Sequence, residues 1–169
     1  MRKILMFVFA LLLTTSCFAQ DRVQVLAKAI AKAEGFGRPG TLPMRNHNPG
    51  DIKAIKNYRF PGQVSINKVY VVFKNDKLGW EALQHQIDKI IAGESRYSIN
   101  LTLKQLGKRY AESRVWPKVV AKYLNVTPDT ALWEILDVAP LLEEQWKTRV
   151  VLQAAPTSAH TFTVAGSTA

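Results

Sequence analysis

The sequence has almost no cysteine: a single thiol, Cys17, in 169 residues. One thiol excludes an internal disulfide framework and a structural zinc site built from four thiolates. Acidic residues are also scarce, with 13 Asp and Glu against 23 Lys and Arg and a formal charge of +10. The basic residues are nevertheless scattered, with no run of five or more and no zinc-finger, helix-turn-helix or RNA-binding motif. Nucleic acid is therefore not the expected partner. A dispersed basic surface suits attraction to an anionic polymer, and equally plain solubility. His47, His85 and His160 form no His-x-x-x-His or Cys/His set, so neither a metal nor a cofactor is expected. The longest apolar run is Ile4 to Leu13, ten residues, where a bilayer-spanning helix needs about 20. No transmembrane anchor is expected.

That short run has a different meaning. Met1-Arg2-Lys3 is a cationic start, the apolar run follows, and Thr14 to Ala19 ends on small residues. Residues 1–19 thus read as a signal peptide cleaved near Ala19, placing the protein in the periplasm or outside the cell. The competing readings are an uncleaved anchor and lipidation at Cys17. Cleavage would remove Arg2 and Lys3 and lower the charge from +10 to +8. Residues 20–152 form one expected domain, long enough to bury roughly two thirds of the surface its unfolded chain exposes. Residues 153–169 carry no Lys, Arg, Asp or Glu and are mostly Ala, Thr and Ser, the composition of a disordered tail.

The spacing predicts a first helix over residues 22–34, capped by Asp21, with Val23, Leu26, Ala27 and Ile30 on one stripe. Residues 35–50 hold four of the nine glycines and three of the eight prolines, the marks of a loop. Residues 51–56 and 68–74 read as strands joined by residues 57–67. A second helix is predicted over 78–92 after the cap signal Asn75-Asp76, a third over 103–111 capped by Thr102, and a fourth over 118–124 behind Pro117. A short turn or helix through Leu136 and a last helix from Pro140 complete an α+β fold dominated by helix. Trp80, Tyr110, Tyr123 and Trp146 fall on apolar helical faces and read as core; Tyr70 suits either core or groove.

Glu34 ends the first helix, where the macrodipole disfavours a carboxylate. If the glycine-rich loop folds back over that end, partial burial beside Phe36 raises the carboxyl pKa toward that of a general acid at neutral pH. The competing reading is a solvent-exposed glutamate before an ordinary glycine stop.

Several spaced segments then fall in a consistent order: residues 29–36 (Ala-Ile-Ala-Lys-Ala-Glu-Gly-Phe), 39–43 (Pro-Gly-Thr-Leu-Pro), 45–52 (Arg-Asn-His-Asn-Pro-Gly-Asp-Ile), 73–76 with 79–83, 102–106, and 119–130. Over residues 22–136 this series resembles the lysozyme-like superfamily, in the branch of phage-associated and bacterial lytic transglycosylase-like proteins, which are similar in fold to goose-type lysozymes. The resemblance implies a lysozyme-like domain that cleaves peptidoglycan between N-acetylmuramic acid and N-acetylglucosamine. It makes Glu34 the catalytic glutamate and the Arg45-Asn46-x-Asn48 segment a lining of the sugar cleft. Asn amides offer donors and acceptors for sugar hydroxyls, although Asn before Pro-Gly is equally a turn former. Trp116 stands where a tyrosine commonly opens the helix, and is expected to stack on a sugar. His47 stands where another Asn is usual and reads as a hydrogen-bonding loop residue. Asp51 and Asp76 are the candidates for a second carboxyl, Asp76 being better explained as a helix cap. A conventional glycosidase needs two carboxyls, whereas the resemblance implies a single-glutamate route closing an anhydro ring, so lyase chemistry is expected slightly ahead of hydrolysis. The alternative is a wall-binding protein that keeps the fold and has lost catalysis.

Overall fold

A computed structural model describes residues 21–111 and 113–139. The expected leader, the helix from Pro140, Trp146 and the tail from residue 153 lie outside the described residues. The described chain is α+β, with six helices and one two-stranded antiparallel sheet. Among the described residues no helix is long and apolar enough to cross a membrane.

Helix α1 covers residues 21–34. Residue 21 is already helical, so Asp21 belongs to the helix and does not cap it. The expected stripe is the buried one: Val23, Leu26, Ala27 and Ile30 all face the core. The predicted loop contains a single helical turn, α2 (Leu42–Arg45), begun by Pro43 in its first turn, where a missing N–H costs nothing.

The sheet differs from expectation. Strand β1 is Gln63–Asn67 and β2 is Tyr70–Phe73, paired in a hairpin with Asn67 opposite Tyr70. The expected connector 57–67 therefore supplies a strand, while residues 51–56 contribute only isolated bridges, Lys53 to Tyr70 and Ile55 to Tyr58. Backbone geometry explains the exchange. Asp51 and Asn57 take φ of 46° and 62°, which interrupt an extended run. Lys68 at φ 58° opens the two-residue turn that a tight hairpin requires. Val64 and Ile66 are each 53% exposed, so β1 shows its apolar side chains to solvent and mimics a loop.

Helix α3 (Asp76–Ile91) is capped by Asn75, whose side chain accepts from the Leu78 N–H at 3.0 Å. Asn75 thus does the capping expected of Asp76. Asp76 instead sits in the first turn and meets His47 Nδ1 at 2.6 Å, consistent with His47 as a hydrogen-bonding loop residue. Helix α4 (Leu103–Tyr110) carries the reciprocal Thr102–Gln105 capping box, and α5 (Trp116–Leu124) and α6 (Leu132–Leu136) follow. Leu26, Leu83, Ile87, Phe73, Leu103, Val120 and Leu132 share one core. Tyr123 does not join it. At 53% exposed it lies off the buried stripe of α5, which is set by Trp116, Pro117, Val120 and Ala121.

Candidate active site

The site begins where α1 stops. The Phe36 N–H bonds the Ala31 carbonyl at 2.9 Å and the Gly35 N–H bonds the Lys32 carbonyl at 3.2 Å, the pair of bonds that defines a Schellman termination. Gly35 holds φ 87° at its left-handed position, which a side chain would strain. Glu34 is consequently the last residue of the helix, fixed at a sharp reversal. Thr41 Oγ1 donates to the carbonyls of Gly35 and Arg38 at 3.0 and 2.9 Å, pinning the loop closed behind it.

The same motif ends α2. Asn48 N–H reaches the Pro43 carbonyl at 2.9 Å, and His47 N–H reaches that of Met44 at 3.2 Å, with His47 at φ 51°. The segment after it is clamped from two sides. Asn48 Nδ2 donates to the carbonyls of Ile52 and Val71 at 3.0 and 2.9 Å, while its Oδ1 accepts the Ile52 N–H at 2.9 Å. The Tyr110 hydroxyl donates to the Gly50 carbonyl. Both neighbours of Asp51 are therefore fixed, and Asp51 itself is held at φ 46°. Its Oδ1 is buried with no hydrogen-bond partner among the described residues.

Glu34 and Asp51 line one groove of about 680 Å³, walled also by Tyr58, Tyr70, Tyr97 and Tyr110, a volume in the range of ligand-binding clefts. Burial pushes the Glu34 carboxyl up to about 7, against a hydrogen bond from Trp116, with the Asp51 charge adding to the rise. Burial likewise pushes Asp51 up to about 6, opposed by Lys53. The Trp116 indole Nε1–H donates to Glu34 Oε1 at 2.7 Å. Trp116 is seated by a close crossing of α4 and α5: a Cβ on Gly107 would lie 2.9 Å from Pro117 Cδ and 3.0 Å from Trp116 Cε3.

No family model matches the chain, and no curated protein or solved structure matches it.

Of Glu34, Arg45, Asn46, Asn48, Asp51 and Trp116, the structure brings Glu34, Asp51 and Trp116 together. Glu34 is not an exposed helix-end residue. Trp116 is only 3% exposed and does not line the groove, so it holds the acid and offers no open face to a sugar. Asn46 and Asn48 are 2% and 0% exposed and serve the turn. Asn48 is fully engaged with backbone, and Asn46 Oδ1 accepts from Asn67 Nδ2 at 3.0 Å. Arg45 is exposed and outside the groove. Among the described residues no three His, Cys, Asp or Glu side chains gather as metal ligands. Sequence reading missed Tyr97 and underrated Tyr110. The apolar face of α4 does announce Tyr110, but as core, and its hydroxyl contact spans 60 positions, beyond any local signal.

The Trp116 bond yields a prediction. Its N–H favours the ionised carboxylate, so Trp116→Phe should raise the Glu34 pKa further above about 7. A carbon-13 titration of the Glu34 carboxyl checks this; an unchanged or lowered midpoint would contradict the assignment.

Proposed function

We propose that the protein is an exported enzyme that cleaves peptidoglycan glycan strands between N-acetylmuramic acid and N-acetylglucosamine, using Glu34 as the proton donor. The observation that carries this reading is a carboxyl that burial pushes up to about 7, at the wall of a groove lined by four tyrosines. Glycosidic cleavage needs a proton delivered to the leaving oxygen at neutral pH. The ordered segments that resemble the lysozyme-like superfamily, and the leader-like residues 1–19, support the same substrate and location.

The chemistry follows from the hydrogen bonding. Oε1 accepts from Trp116, which leaves Oε2 to carry the proton in the neutral acid. Glu34 gives that proton to the glycosidic oxygen as the C–O bond breaks and positive charge develops on the sugar ring. The resulting carboxylate is stabilised by the same indole N–H and by the nearby Lys53 charge. It can then take a proton from the group that attacks the ring: the 6-hydroxyl of the same sugar, giving an anhydro product.

One observation favours water as the attacking group. Asp51 presents a second carboxyl to the same groove, held in a left-handed backbone conformation and lacking a partner for a buried oxygen. Such a group can accept a proton from water, as the two-carboxylate route requires. The two routes predict different pH dependence. With Asp51 as base, the rate is highest between about 6 and about 7, where Asp51 is ionised and Glu34 protonated. With Glu34 alone, only the fall above about 7 remains.

Mass spectrometry of soluble products from purified peptidoglycan tests all of this. Anhydro ends, lighter by one water, mean the intramolecular route; hydrated ends that disappear in Asp51→Asn mean hydrolysis. Sedimentation with insoluble wall and no soluble fragments would replace catalysis with wall binding.

A further inference from the structure

Three cations reach the groove: Lys53, Lys89 and Arg96. Lys53 acts on the carboxyls, since its charge opposes the rise of both Glu34 and Asp51. Lys89 and Arg96 have no such partner. Neither forms an ion pair among the described residues, and Glu94, the acid at this end, is exposed and pairs with neither.

Both are nevertheless held in place. Lys89 Nζ lies 5.7 Å from the centroid of the Tyr58 ring, and Tyr58 stands edge-on to the buried Phe60 at 4.8 Å. The Arg96 guanidinium lies 4.8 Å from the Tyr97 centroid and gives one Nη2 bond to the Tyr97 hydroxyl at 2.6 Å. Tyr97 is buried against Tyr110 at 6.0 Å. The segment carrying Arg96 is itself tied down, with the Glu94 N–H on the Lys89 carbonyl at 2.8 Å and the Tyr97 N–H on Ser95 Oγ at 3.2 Å. A solvated cation kept for solubility needs no such mounting. Ring contacts orient a cation, and a guanidinium has five donors in a fixed fork, of which one is used among the described residues.

A chain of ring contacts links Arg96 to the acid. Trp116 bonds Glu34 and packs on Tyr110 at 5.6 Å, Tyr110 meets Tyr97, and Tyr97 carries Arg96. Lys89 and Arg96 both line that groove and come from one stretch of chain, the last turn of α3 and the loop after it.

We infer that this end of the groove is an anion subsite, in which Lys89 and Arg96 receive a carboxylate carried by the bound sugar chain. The inference rests on reading the groove as a glycan cleft, and adds that neutral glycans are poor ligands. A carboxylate matches the donor set, because a planar fork binds both its oxygens and a lysine adds charge. Peptidoglycan has two sources of it: the lactyl group of a strand without peptides, and the stem peptide itself.

Binding tests this apart from catalysis. Calorimetric titration of the full-length Glu34→Gln protein would use three tetrasaccharides: a neutral N-acetylglucosamine oligomer, an alternating strand bearing lactyl carboxylates, and that strand with stem peptides. The carboxylated ligands should bind about tenfold or more tightly than the neutral one, the scale of hydrogen bonds to charged groups, and added salt should shrink the gap. Gain already present with the lactyl strand assigns the subsite to that group; gain only with peptides assigns it to the stem. Adding Lys89→Gln and Arg96→Gln, with melting curves to check that the fold is kept, should reduce the preference to about twofold or less. Equal binding of neutral and carboxylated ligands, or a preference that survives the double substitution, would overturn the subsite and leave the cleft intact. Failure of all three to bind would overturn the cleft and the subsite together.

Discussion

Glu34→Gln is expected to abolish cleavage while making the protein harder to unfold above neutral pH. A general acid contributes about 100- to 10,000-fold to rate, so the variant should lose at least about 100-fold. Glutamine is close in shape and can still accept the Trp116 N–H, so no packing is lost. The stability effect has a definite sign. The folded carboxyl titrates at about 7 and the ordinary value is 4.5, so between these the folded state keeps a proton that the unfolded chain has released. The stability linked to that proton is complete below about 4.5 and is lost as pH rises through about 7. Above that, the native state carries a buried carboxylate at a cost of roughly 3 kcal/mol. Glutamine carries no such cost. Melting curves at about pH 5 and about pH 8 should nearly coincide for the two proteins at the lower pH and separate by roughly 5–10 °C at the higher. A variant that melts below the parent at the higher pH would show that the carboxyl is ionised and well solvated in the fold.

Asn48→Ala is expected to be the most damaging substitution in the turn. Asn48 is 0% exposed, and its amide satisfies the Ile52 N–H and the Ile52 and Val71 carbonyls. Alanine would take this partner from the buried Ile52 N–H and the Val71 carbonyl, at about 1–3 kcal/mol each, while the Ile52 carbonyl keeps the Val71 N–H, so a total loss of about 3–5 kcal/mol is expected with the side-chain packing. Among the described residues Asn46 has one such side-chain bond, to Asn67, and a buried amide nitrogen without a partner. Asn46→Ala should therefore cost clearly less. Urea denaturation of both variants checks the order. If Asn48→Ala unfolds at the parent's midpoint yet loses glycan affinity, the side chain serves the ligand and not the turn.

Much of the scaffold was legible because it is written locally. The stripe of α1, the Asn75 and Thr102 caps and Pro117 are short-range signals, and each marks a helix boundary or a buried face. The hairpin was harder. Val64 and Ile66 face solvent, so the alternation in β1 has no core to report, and the turn at Lys68 lacks the glycine that usually announces one. Glu34 could be found because it stands at a helix end that disfavours a carboxylate, within the ordered segments that resemble the lysozyme-like superfamily. Its partner could not: Trp116 reads as an aromatic platform at the start of a helix, and only the approach of α4 to α5 turns its nitrogen to the acid. The asparagines show the opposite failure. A side chain suited to sugars is equally suited to backbone, and burial decides between them.

The contact between Glu34 and Trp116 joins positions 82 residues apart. While the chain is still unfolded the carboxyl is an ordinary one, ionised and hydrated, because the surroundings that raise its proton affinity come from later parts of the chain. Reactivity in this reading is thus a property acquired at the last stage of folding, and a nick or truncation ahead of residue 116 would leave a helix with a harmless glutamate at its end.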